Sequence, residues 1–213
     1  MLLPQKTEIS AIVVAAGLST RMGEPKQLLP YGQHTVIEQI VSVLRQCALL
    51  EVVVITGHQR EAVEAKLTPW PVRVVFNPNY QAGEMLSSIQ CGLLALNPAA
   101  QAALIVLGDQ PQLEATVVRQ VIEAYQAGLS RLIIPSFQMR RGHPILLDRA
   151  YWPEILDLSP GDIRRPVITA HADMVYYVLF ETDAVLRDMD TPEEYQQELS
   201  RRGLETTIVS YDS

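Results

Sequence analysis

Cysteine is nearly absent from this chain. Cys47 and Cys91 are the only two among 213 residues, and they stand far apart in unrelated contexts. That spacing fits neither a zinc site nor a redox pair, which leaves two buried thiols. Positive charge is also in deficit. Seventeen Lys and Arg face 24 Asp and Glu, a formal net charge of −7, which argues against a nucleic-acid-coating surface built on a basic face. An anionic ligand stays allowed, because a local cluster of cations or a bound metal overrides the global sign. No window approaches the roughly 18 uninterrupted apolar residues of a membrane span. No basic segment followed by a long apolar run opens the chain, so no secretion signal is expected. A cytoplasmic enzyme or binding protein, with neither membrane nor nucleic acid as partner, is the class that remains.

What is present suits one substantial core, with 48% hydrophobic and 19% charged residues. A single domain over 1–203 is expected, followed by a poorly ordered tail at 204–213. Short β-branched runs at 9–15, 52–56, 72–76, 103–107 and 132–135 have the continuous apolar character of strands buried on both faces. Helical spacing separates them. Thr35-Val-Ile-Glu38 starts one helix with a capping box, and 84–96 and 114–127 read as two more. Strand and helix in alternation predict an α/β fold of three layers, α/β/α, around a mostly parallel sheet. The last third is less regular. Strands are expected at 144–147 and 174–180, divided by a stretch containing Pro153, Pro160-Gly161 and Pro166, which suits the lip of a pocket. Thr191-Pro192-Glu193-Glu194 opens a final helix.

The first strand runs into Ala15-Ala16-Gly17, then Ser19, Thr20, Arg21, Gly23 and Lys26. Ligands of open α/β sheets bind beyond the carboxyl ends of strands. Small residues there let a ligand approach the backbone, hydroxyls and amides donate to phosphate oxygens, and the two cations add charge. Gly17 and Gly23 have five residues between them and no Gly-Lys-Ser/Thr following, so this is no P-loop, and it is no Gly-x-Gly-x-x-Gly fingerprint either. A phosphate-binding loop and a plain glycine-containing turn are the two readings that these residues allow by themselves. His34, His58 and His171 show no metal-ligand spacing, and Trp70 and Trp152 read as packing residues.

The gap-free run Ala16-Gly17-Leu18-Ser19-Thr20-Arg21-Met22-Gly23-Glu24-Pro25-Lys26 resembles the signature loop of nucleotidyltransferases with the nucleotide-diphospho-sugar transferase (Rossmann-like) fold. The closer resemblance is to the MobA-like family and its molybdenum cofactor cytidylyltransferases. Pro25-Lys-Gln-Leu-Leu-Pro30, Gly108-Asp-Gln-Pro111, Arg141-Gly-His-Pro144 and Asp188-Met-Asp-Thr-Pro-Glu-Glu-Tyr195 follow in order over nearly the whole chain.

The resemblance implies transfer of a nucleotidyl group from a nucleoside triphosphate to a phosphate of an acceptor. Lys26 and Arg21 would contact the phosphates. Asp109 would bind Mg2+ or Mn2+, its plainer reading being a turn aspartate or helix cap. Asp190 would be the second ligand while also preceding a helix cap, and Asp188 would share its strand face. Ala15, Ala16, Gly17 and Ser19 would line the nucleotide, with Thr56, Gly57, Gly83 and Ser88 framing its base and ribose and Ser87 beside them. The stretch Gly83-Glu-Met-Leu-Ser-Ser88 departs from relatives that carry a second small residue soon after the glycine. Arg141 and His143, with Arg140, are assigned to the acceptor. Ala-Ala-Gly in the first loop points to CTP, since the guanylyl branch usually carries Ala-Gly-Gly there. The acceptor would then be the phosphate of molybdopterin carrying molybdenum, with a molybdenum hydroxylase as downstream partner. A sugar- or polyol-phosphate acceptor is the enzymatic alternative, and a non-catalytic carrier of the molybdenum cofactor is the alternative of another class.

Overall fold

The computed structural model describes residues 8–82, 85–159 and 167–204. Gly83, Pro160-Gly161, Pro166 and nearly all of the expected tail lie outside them. The strands, in chain order, are β1 (Ile9–Ala15), β2 (Pro30–Tyr31), β3 (His34–Thr35), β4 (Val52–Thr56), β5 (Arg73–Phe76), β6 (Ala102–Leu107), β7 (Leu132–Phe137), β8 (Arg140–Arg141), β9 (Ile145–Asp148) and β10 (Val175–Leu179). The α-helices are α1 (Val36–Leu44), α2 (Arg60–Leu67), α3 (Met85–Ala95), α4 (Ala115–Gln126), α5 (Trp152–Leu156), α6 (Val167–Ala170) and α7 (Pro192–Arg201).

One sheet runs in the order β10-β7-β9-β6-β1-β4-β5, with β8 paired to β7, while β2 and β3 form a separate small hairpin. The pairs β1–β4, β1–β6, β4–β5 and β7–β10 are parallel. Strand β9 is inserted antiparallel between β6 and β7. The sheet is therefore mostly parallel, as the alternating pattern predicts. Alternation within β1 explains the layers. Ile9, Ala11 and Val13 face a core shared with α1, α2, α4 and α7. Ile12 faces a second core that holds α3, α5 and Val167 of α6. A strand covered on both faces has no polar side to show, which is why it reads as an unbroken apolar run.

The capping box foreseen at Thr35 is present in the form of Glu38 Oε2 accepting from Thr35 N–H at 2.9 Å and from its hydroxyl at 2.7 Å. Three elements carry no readable signal. Helix α2 buries only Val63 and Leu67. The β2–β3 hairpin is two residues a side. The turn into β8 uses Gln138 and Met139 at φ 49° and 64°, left-handed positions filled without glycine.

From β1 the chain builds outward through β4 and β5, then returns to place β6 on the other flank of β1. The order reverses between β1 and β6, and a crevice opens there at their carboxyl ends. The two strand ends are pressed together. Gly108 N–H donates to Val14 O at 2.9 Å, and a Cβ on Gly108 would stand 2.6 Å from that same oxygen. Only glycine lets Asp109 sit so near the β1 loop.

Gly108→Ala is expected to destabilise the protein by about 2 kcal/mol as an overpacked backbone contact, lowering Tm by roughly 4–8 °C. Thermal unfolding followed by circular dichroism checks this.

Candidate active site

The crevice is a cavity of about 530 Å³ whose walls include Ala16, Gly17, Ser19, Arg21, Lys26, Ser88, Asp109, Asp188 and Asp190. Three chain segments supply its charges. The β1 loop brings Arg21 and Lys26. Its fold is held by Ser19, at φ 53°, whose Oγ accepts from Lys26 N–H at 3.2 Å and whose carbonyl accepts from Met22 N–H at 3.0 Å. The end of β6 brings Asp109. The segment before α7 brings Asp188 and Asp190, and Glu194 pins it by accepting from the N–H groups of Asp190 and Thr191 at 2.8 and 3.0 Å. Tyr195 then ties α7 to the start of β2, where the β1 loop ends, by donating to Pro30 O at 2.6 Å.

These charges meet at Lys26. Its Nζ donates to Asp109 Oδ2 and, at 2.9 Å, to Asp190 Oδ1, while Arg21 Nη2 donates to Asp190 Oδ2 at 2.5 Å. Burial by itself would lower the Lys26 pKa, but the two carboxylates outweigh it and hold the ammonium above its ordinary value. Burial pushes the Asp109 carboxyl up; Lys26 pulls it back, and Asp188 and Asp190 add to the rise. At Asp190 burial is outweighed by Lys26 and Arg21, and the carboxyl lies below its usual range.

Among the described residues the cavity wall carries two cations, Arg21 and Lys26, and three carboxylates, Asp109, Asp188 and Asp190. A polyphosphate entering such a site needs an accompanying cation. Asp109 Oδ1 is buried with no hydrogen-bond partner among the described residues, a position suited to a metal. No cluster of three or more His, Cys, Asp or Glu forms a self-sufficient cage among the described residues. A carboxylate pair is the set that Mg2+ uses when phosphate oxygens and water fill its remaining positions. The residues thus fit a divalent ion on Asp109 and Asp190.

The remaining sequence candidates divide. Ser88 lines the cavity, and its Oγ accepts from Asn77 Nδ2 at 3.1 Å, as Ser87 Oγ does at 3.0 Å. A Cβ on Gly17 would meet nothing within 4 Å, so the backbone there is open to a ligand. Thr56 is fully buried with its hydroxyl on Val75 O, and Gly57 is wedged against Ala16 O and Tyr80, where a Cβ would stand 2.6 Å from each. Ala15, Thr56 and Gly57 therefore support the cavity from behind and are not part of its wall. Arg141 Nε donates to Tyr177 OH at 2.8 Å, and its guanidinium lies over that ring. His143 lies against Val185, its N–H donating to Val185 O at 2.9 Å. Neither residue lines the cavity. Burial lowers the His143 pKa to about 4, so its ring is neutral at pH 7 and does not add to a cationic cluster. Trp152 is buried, and Cys47 and Cys91 are half-buried free thiols whose pKa values burial raises. Tyr80, Met85 and Gln27 line the cavity as well. Sequence reasoning passed over them because each reads as an ordinary packing or loop residue.

The mostly parallel sheet thus carries a cluster of carboxylates and cations at its order reversal. The chain belongs to the family described as MobA-like NTP transferase domain, whose profile matches residues 11–175. The match ends before Asp188 and Asp190, so those two enter the site on geometry. The chain is 28% identical to the molybdenum cofactor cytidylyltransferase of Escherichia coli K12, over 88% of this chain and 93% of that protein. It is 29% identical to the nicotine blue oxidoreductase of Paenarthrobacter nicotinovorans, over 87% and 94%. Among solved structures it is similar to Rv0371c of Mycobacterium tuberculosis H37Rv, with a TM-score of 0.79, 27% identity and coverage of 92% and 100%. A complex of Rv0371c with manganese has also been solved. No helix among the described residues is long and apolar enough to cross a membrane.

The lowered His143 pKa has a consequence for stability. The unfolded chain binds a proton at this residue below its ordinary value of 6.5, the folded chain only below about 4. Between those values the unfolded state holds more protons, so this residue's share of stability falls as pH drops from 6.5 to 4. Urea unfolding at pH 7 and pH 5 is expected to show a smaller loss in His143→Gln than in the wild type.

Proposed function

We propose that this protein transfers CMP from CTP to the phosphate of molybdopterin carrying molybdenum, releasing pyrophosphate. The observation that carries the reading is the convergence of Lys26 and Arg21 with Asp109 and Asp190 in one triphosphate-sized hollow. A phosphate oxygen of the acceptor attacks the α-phosphorus of the nucleotide. The new P–O bond forms as the bond to the β-phosphate oxygen breaks, and pyrophosphate leaves with that electron pair. The attacking phosphate is already ionised at neutral pH, so no general base is needed, and the absence of a Ser-His-Asp arrangement costs nothing.

Catalysis then rests on positioning and charge. Lys26 turns from the carboxylates to the α- and β-phosphates and offsets the charge that builds on the leaving group. Arg21, exposed at the rim, closes on the same chain of phosphates with its planar fork. A Mg2+ or Mn2+ ion on Asp109 and Asp190 would neutralise triphosphate oxygens and polarise the reacting phosphoryl group. Ser88, oriented by Asn77, faces the nucleoside, with Ala16 and Gly17 giving close approach to the backbone. Arg141 and His143 meet the acceptor, His143 as a neutral hydrogen-bonding group. CTP as donor and molybdopterin as acceptor are supported by the E. coli relative's name and by the Ala15-Ala16-Gly17 loop. The product would pass to a molybdenum hydroxylase. A carrier without chemistry has no use for the lysine–carboxylate cluster, and the relative named an oxidoreductase gives a redox alternative that releases no pyrophosphate.

Pyrophosphate release, measured with CTP, GTP, ATP or UTP plus magnesium and molybdopterin, tests the reading. CTP is expected to be preferred. Asp109→Asn is expected to cost roughly 10²–10³ in rate, the usual effect of deleting one electrostatic contact to a transition state, with the fold retained. Wild-type turnover in that variant contradicts the assigned role, and silence with every triphosphate contradicts molybdopterin as the acceptor.

A further inference from the structure

We infer that Gln112 is a positioning residue that sets the separation of the two carboxylate-bearing loops, and with it how strongly a divalent cation couples to nucleotide binding. This rests on the metal–nucleotide reading above. Asp109 and Asp190 belong to segments far apart in the chain. They are 83 and 164 positions from Lys26, the group that joins them here. Lys26 is also the group that must turn to the phosphates. When it does, its link between the carboxylates is lost, at the stage when a metal needs them at a fixed distance.

Gln112 supplies a link that nucleotide binding does not consume. It lies three positions after Asp109 on the β6–α4 loop and is 1% exposed. Its Nε2 donates to Ala184 O at 3.2 Å and to Arg187 O at 2.6 Å. Both side-chain donors are thus spent on the segment that runs directly into Asp188 and Asp190. The backbone is braced beside it, since the Gln112 main-chain carbonyl accepts from Arg202 Nη2 at 2.7 Å, just past α7. The far side of the same segment is held through Arg187, whose Nε donates to the buried Glu198 at 3.1 Å and whose Nη1 pairs with Asp183. One buried amide therefore connects the Asp109 loop to the Asp190 segment, with no charge of its own and no place in the cavity wall. Mg2+ tolerates little departure from octahedral geometry, so drift of one carboxylate arm weakens the metal without touching the nucleotide's other contacts.

Calorimetric titration of CTP, with saturating Mn2+ and separately in EDTA, measures that coupling in the full chain without turnover. The wild type is expected to bind CTP more tightly with Mn2+. In Gln112→Met, which keeps the volume and removes the donors, the Mn2+ enhancement is expected to shrink about 10–100-fold, the usual effect of losing a partner that orients a metal ligand. Its affinity in EDTA stays at the wild-type value. Gln112→Glu, which keeps the shape but presents an acceptor to the same carbonyls, serves as the second variant. An unchanged enhancement in a folded variant overturns the proposal. An equal loss with and without Mn2+ also overturns it, because that is what general loosening of the fold produces. If neither variant folds, Gln112 serves the fold as a whole and the proposal falls. A wild type with no Mn2+ enhancement contradicts the metal–nucleotide reading itself, a result distinct from all of these.

Discussion

Everything in this molecule that bears on chemistry depends on one buried ammonium held between two carboxylates. Lys26 is only 12% exposed at its side chain, and the Asp109 and Asp190 side chains are 17% and 25% exposed. Placing a charge there is costly unless it is paired, and breaking such a pair by removing one partner is costlier still. The rest of the fold can be understood as the means of bringing those partners together. A parallel sheet reverses its order beside β1, Gly108 lets β6 close against that strand, and α7 is capped so that its leading segment returns to the same hollow.

On the proposed reading, the pairing also accounts for a polyphosphate site in a chain with a net charge of −7. Lys26 satisfies both carboxylates in this structure. In the proposed reaction a divalent cation would take over the carboxylates while the ammonium turned to phosphate.

Much of this was legible in the sequence, for physical reasons. Strands covered on both faces read as apolar runs, so β1 and β4 were located to the residue, and the caps at Thr35 and Thr191 marked their helices. Lys26, Arg21, Asp109 and Asp190 stood out because their motifs are local in sequence, Asp109 just after β6 and Asp190 just before the cap of α7. Other features were not legible. The apolar stripe of α2 is two residues long. Asn77 reaches Ser88, and Gln112 reaches Arg187, through hydrogen bonds that leave no periodic trace, the latter across 75 positions to a backbone carbonyl that has no residue identity at all. For Thr56 and Gly57 the resemblance implies nucleoside contacts, while the packing that surrounds them, with Gly57 making room for Tyr80 and the Ala16 carbonyl, leaves no mark in the sequence.

A crystal structure of the protein with CTP and Mn2+ tests the central claim most directly. The account predicts manganese between Asp109 and Asp190 and bound to triphosphate oxygens, with the Lys26 ammonium moved off the carboxylates and onto phosphate. A triphosphate bound away from the β1–β6 crevice, or a Lys26 still bridging the two aspartates beneath a bound nucleotide, would contradict it.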